Sequence, residues 1–127
     1  MMADLAEKVS DAELRVLEVL WQSDVPLPVT AIRTKLETEQ GWGASTVKTL
    51  LRRLCEKGVI AAEKREVFYY RPLLSREVYR RRSSQSLLDR VFCGSARDLI
   101  ARLVEADRLS AEDLGELWQM LHTKEEK

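Results

Sequence analysis

The segment GASTVKTLLRRLCEKG, Gly43 to Gly58, can lie on a folded protein in one way. At helical periodicity Val47, Leu50, Leu51, Leu54 and Cys55 fall in one arc of roughly 140°, and no polar residue intrudes on it. The other arc holds Ser45, Thr46, Lys48, Thr49, Arg52, Arg53, Glu56 and Lys57. A helix built this way buries one side completely and offers a basic, hydroxyl-rich face on the other. Gly58 is placed to end it. The stretch that follows, VIAAEKREVFYYRP, reads as two short strands, Val59 to Glu63 and Val67 to Arg71, about a turn near Lys64 and Arg65, with Pro72 closing the unit.

Two helices are expected upstream. In VSDAEL, Ser10 caps a helix, Glu13 closes the capping box three residues later, and Val9 is placed to staple Leu14. Leu14, Val16, Leu17, Leu20 and Trp21 then form its apolar face. Pro26 and Pro28 stop and restart the chain, and Val29, Ile32 and Leu36 line a second, shorter helix ending near Gly41. Trp42 is expected to pack against Trp21 or the first helix. Three helices followed by a hairpin is the order of a winged helix-turn-helix, here over residues 1–73.

Residues 74–127 read as helix throughout. Ser75 opens a long helix to about Phe92, Ser95 with Asp98 opens another, and Ser110 with Asp113 opens a third. Leu87, Leu88, Val91, Leu99, Leu103, Leu114, Leu117, Trp118 and Leu121 recur at helical spacing. Three short helices cannot bury three apolar faces among themselves, so these residues are expected to meet a two-fold partner. The fold class is therefore mainly α with a small β-hairpin wing: an N-terminal winged helix-turn-helix and a C-terminal three-helix dimerisation region.

Charge decides what the polar arc contacts. The chain balances 21 Lys and Arg against 21 Asp and Glu. The balance is uneven along its length: residues 45–82 hold eleven cations against four acids, whereas residues 1–44 hold four cations against eight acids. Such a distribution is the electrostatic footprint of a nucleic-acid-binding surface. Ser45, Thr46, Lys48, Thr49 and Arg52 are expected to face the major groove of double-stranded DNA, with Arg53, Lys57, Lys64 and Arg65 mainly on phosphates. A winged helix that binds protein through the same surface is the alternative, and acid dominating the third helix would have favoured it. Arg80, Arg81 and Arg82 fit either DNA backbone or acids of a partner subunit.

Catalysis and cofactor binding find no support in the residues. There is no phosphate-cradling glycine loop and no paired metal-ligand spacing, and His122 is the only histidine. No metal and no cofactor are expected. Cys55 reads as a small buried hydrophobe, while Cys93, before Gly94 at a helix end, reads as more reachable. Two cysteines form no disulfide framework, and the start MMADLAEKVSDAE lacks the basic end and apolar run of a signal peptide. A cytoplasmic protein without membrane insertion is expected.

SDAELRVLEVLW, GWGASTVKTLLRRLCEKGVI and FYYRPL together resemble the BlaI/MecI penicillinase-repressor family, which includes CopY-type copper regulators. The resemblance runs on through VEADRLSAEDLGEL, and STVKTLLRRL with Lys57 and Gly58 is its most specific part. It implies a homodimeric bacterial repressor on a pseudo-palindromic operator with TACA/TGTA half-sites, released in β-lactamase repressors when a membrane sensor protease triggers a cut. That cut would fall near Arg102 and Leu103, where the family's Asn and large aromatic are not present. The wing reads about two residues shorter than in those repressors. The tail LHTKEEK lacks the cysteines of the copper-responsive members, so copper sensing by that route is not expected.

Overall fold

In a computed structural model, residues 9–125 are described. Ser10 and Glu13 close the capping box: the Glu13 amide donates to Ser10 Oγ at 3.2 Å, and the Ser10 amide donates to Glu13 Oε1 at 2.9 Å. Helix α1 (Asp11–Trp21) follows, then strand β1 (Leu27–Pro28), helices α2 (Val29–Gln40) and α3 (Ala44–Glu56), and strands β2 (Ile60–Lys64) and β3 (Phe68–Pro72). Gly58, at φ +75°, turns the chain out of α3 into β2. The helices share one core, with Val16, Leu17 and Leu20 of α1 against Ile32 and Leu36 of α2 and Val47, Leu51 and Leu54 of α3. Val59, Ile60 and Leu74 close it from the wing side. Trp42 packs against this core, while the ring neighbour of Trp21 is Tyr79, at 5.6 Å between centroids.

The wing differs from the expected hairpin in two ways. Each strand begins and ends one residue later than read from the sequence, with Ile60 opposite Pro72 and Lys64 opposite Phe68. The sheet also has a third strand, in the order β1-β3-β2, because Leu27 and Pro28 pair antiparallel with Tyr70 and Tyr69. A proline is tolerated there because β1 is an edge strand, where its missing N–H breaks no ladder. The segment between Pro26 and Pro28 is thus part of the sheet as well as a helix stop.

Helices α4 (Arg76–Phe92), α5 (Ala96–Glu105) and α6 (Ala111–Glu125) complete the chain. Their caps are local side chains, as expected: Ser75 Oγ accepts from the Val78 amide, Ser95 Oγ accepts from the Asp98 amide, and Ser110 and Asp113 exchange two bonds of 3.0 Å. The compact units of the chain are residues 1–84 and 85–127, so the division falls inside α4 and not at 73/74. The cause lies in the first unit. Leu74 is buried, Val78 and Tyr79 pack on the core, and the Trp21 indole N–H donates to the Leu74 carbonyl at 2.9 Å.

Candidate nucleic-acid interface

Most of the expected polar arc of α3 is exposed. Val47, Leu50, Leu51 and Leu54 are buried, which turns Ser45, Thr46, Lys48, Arg52 and Arg53 outward and leaves Thr49 half-buried between them. Burial of one arc dictates the presentation of the other. Gly43 caps α3 with no side-chain bond, whereas α1 and α5 are each capped by a serine. The first amides of α3 are therefore left to an outside acceptor, at the end of the helix where the dipole favours an anion.

The cations differ in how they are held. Lys48, Arg53 and Lys64 make no ion pair among the described residues. Arg52 Nη1 donates to Glu56 Oε1 at 2.9 Å, one turn along an exposed face, a contact that water or a phosphate can replace at little cost. Arg65 folds back over the Tyr69 ring at 4.5 Å and pairs with Glu63 at 3.0 Å; Arg71 reaches the same carboxylate at 3.4 Å. Cross-strand pairing puts Lys64 beside Phe68 on one face of the wing and Glu63 beside Tyr69 on the other. Lys64 and Arg65, adjacent in sequence, therefore serve opposite faces.

Lys57 departs from the sequence expectation. It is half-buried, and its Nζ donates to Glu13 Oε1 at 2.5 Å, tying the end of α3 to the start of α1. Glu13 is 1% exposed, the one buried charged side chain among the described residues. Burial raises its pKa, but the Lys57 ammonium and the Ser10 amide outweigh that and hold the carboxyl below its ordinary value. Lys57 positions the helix that carries the interface.

Cys55 departs as well. It is half-buried, packing on the edge of the core and lining a groove between α3 and the sheet with Lys48 and Arg52 from the same helix. Burial, and then the charge of Glu56, push its thiol pKa up, so it stays protonated. Val67 and Phe68 are both about half exposed along this groove, and the sequence reading assigned them no role. Two consecutive apolar residues beside a polar turn were the available signal.

In the second unit, none of α4, α5 and α6 has a buried residue. Leu87, Val91, Leu114, Leu117, Trp118 and Leu121 are exposed, while Leu88, Leu99 and Leu103 are half-buried. Ile100, Val104 and Met120 are also exposed, outside the set expected to meet a partner. No described helix is long and apolar enough to cross a membrane, and no group of His, Cys, Asp and Glu among the described residues could hold a metal.

A three-helix core with an antiparallel wing and a basic third helix defines a winged helix-turn-helix protein of the DNA-binding class. The chain belongs to the penicillinase repressor family, whose model matches residues 9–123. It is 32% identical over 115 residues to the penicillinase repressor of Bacillus licheniformis, covering 90% of this chain and 89% of that one. It is 26% identical over 118 residues to the methicillin resistance regulatory protein MecI of Staphylococcus aureus, covering 92% and 95%. Among solved structures it is similar to the monomeric form of Bacillus licheniformis BlaI in complex with the blaP half-operator, at 32% identity and TM-score 0.51, covering 57% of this chain and 88% of that one.

Proposed function

We propose that this chain is a dimeric repressor that binds a pseudo-palindromic operator, with α3 in the major groove of each half-site. The observation that carries the reading is the exposed arc of α3, in which Lys48, Arg52 and Arg53 stand on a helix that buries Val47, Leu50, Leu51 and Leu54 on its other side. Ser45, Thr46, Lys48, Thr49 and Arg52 read base edges, and Arg53, Lys64 and Arg65 hold phosphates. The solved complex of the BlaI relative with a half-operator supports DNA as the partner.

Dimerisation is proposed on the exposed apolar residues of the second unit, Leu87, Val91, Leu117, Trp118 and Leu121 foremost. A monomer would leave these faces in water at a cost of about 25 cal/mol per Å². A second copy turns two weak half-site contacts into one strong one through effective concentration. The test is selection of bound duplexes from a random pool. An enriched inverted repeat of two short half-sites is the expected result, and a pool with no enrichment, or a single unrepeated site, overturns the reading.

A further inference from the structure

A groove lies between α3 and the wing. Its volume is about 580 Å³, within the range of about 300 to 1,000 Å³ usual for ligand sites. It exists because Ala62 stands opposite Tyr70 in the β2-β3 ladder, so a methyl group occupies a position where a larger side chain would fill the space. Val29, at the start of α2, and Val67 and Phe68 of the wing also line it. Lys48, Arg52 and Cys55 follow one another at positions i, i+4 and i+7, a single stripe of α3.

This arrangement has a definite chemical sense. The wall and floor are apolar, and burial pushes the pKa of both Cys55 and Tyr70 up, so neither contributes negative charge. Among the described residues, the only charged groups lining the groove are the cations Lys48 and Arg52. Lys48 has no ion pair among the described residues, and Arg52 has only its exposed contact with Glu56, which another carboxylate can replace. A molecule with an aromatic body and one carboxylate matches both halves of the groove.

We propose that the groove binds an aromatic monocarboxylate, its ring against Phe68, Val67 and Ala62 and its carboxylate on Lys48 and Arg52, and that this occupant competes with DNA. The competition rests on the DNA-binding reading above, because the ligand neutralises two side chains assigned to base edges and occupies the flank of α3 beside the wing.

The probe is 4-phenylbutyrate, with neutral 4-phenylbutan-1-ol as its isostere, added to the full chain and followed through the methyl resonances of Val29, Ala62 and Val67. Saturable shifts at those methyls in the millimolar range or below, at least tenfold weaker for the alcohol, are expected. Ala62→Phe fills the groove and should abolish the response while the methyls of Val16 and Leu54 keep their folded positions. Phe68→Ser, which strips one wall, should weaken it severalfold and serves if Ala62→Phe does not fold. No saturable shift, equal binding of the alcohol, or a response unchanged in both variants overturns the proposal. In the DNA arm, 4-phenylbutyrate should raise the half-saturating protein concentration on a selected duplex. Groove binding with no such rise overturns the competition. Groove binding by a protein that binds no duplex even without the probe overturns the DNA reading and leaves the groove standing.

Discussion

Lys57 Nζ, at the carboxy-terminal end of α3, lies 2.5 Å from Glu13 Oε1, in the first turn of α1. One buried carboxylate thereby closes the cap of the first helix and ties down the carboxy-terminal end of the third. Glu13→Gln keeps a hydrogen-bonding side chain and removes the charge. At neutral pH it should lower stability by about 1 to 3 kcal/mol, read as a fall in the urea midpoint.

The pH dependence has a fixed sign. The folded carboxyl of Glu13 is held below its ordinary value of 4.5, so the stability it confers is fully present above that value. It is lost as pH falls through the depressed folded value. Urea midpoints from pH 7 to pH 3 should therefore fall more steeply for the natural chain than for Glu13→Gln. Parallel curves would show that the pair contributes nothing.

Gly58 has φ +75° and no atom within 4 Å of where a Cβ would stand. Gly58→Ala should thus cost only the left-handed strain, about 1 kcal/mol, with no steric clash. A loss of several kcal/mol in thermal or urea unfolding would mean that this turn is held by something other than backbone conformation.

Trp118 and Leu121 are exposed on α6. Trp118→Glu or Leu121→Glu should leave helix content unchanged and weaken self-association at least tenfold by sedimentation. Operator affinity should fall with it, because the second half-site is no longer held at high effective concentration. A natural chain that sediments as a monomer at micromolar concentration would remove the basis of this prediction.

The peptide bond between Arg102 and Leu103 lies inside α5, where Arg102 pairs with Asp98 at 3.5 Å and Leu103 is half-buried. Arg108 lies past the end of that helix, after Asp107 at φ +57°. A helix must open locally before a protease can engage it. Limited trypsin digestion should therefore cut after Arg108 well before Arg102, and faster cleavage at Arg102 would show that α5 opens readily enough for release by proteolysis.

Much of this was legible in the sequence, for reasons that can be located. Caps at Ser10, Ser75, Ser95 and Ser110 are local chemistry, and the buried arc of α3 is a matter of period. The misreadings concern residues whose place depends on a neighbour from elsewhere in the chain. Cys55 and Lys57 stand at the two edges of the arc, each about 20° from a residue of the opposite character, and angle alone does not say whether a groove or α1 lies alongside. β1 is two residues long and exists only through pairing with Tyr69 and Tyr70. The unit boundary lies inside α4 because Val78 and Tyr79 pack on the core of the first unit, Tyr79 beside the distant Trp21. Periodicity cannot report any of these contacts.

The most direct test of the account is affinity for a selected duplex and a scrambled one, measured across salt concentration for the natural chain, Lys48→Ala, Arg52→Ala and Arg53→Ala. The natural chain should prefer the selected duplex, and both affinities should fall steeply with salt. Lys48→Ala and Arg52→Ala should each cost about 1 to 3 kcal/mol on the selected duplex and erode the preference. Arg53→Ala should weaken both duplexes alike and reduce the salt slope by about one. Equal affinity of the natural chain for the two duplexes, or affinity indifferent to salt, would contradict the assignment of α3 as the DNA-reading helix.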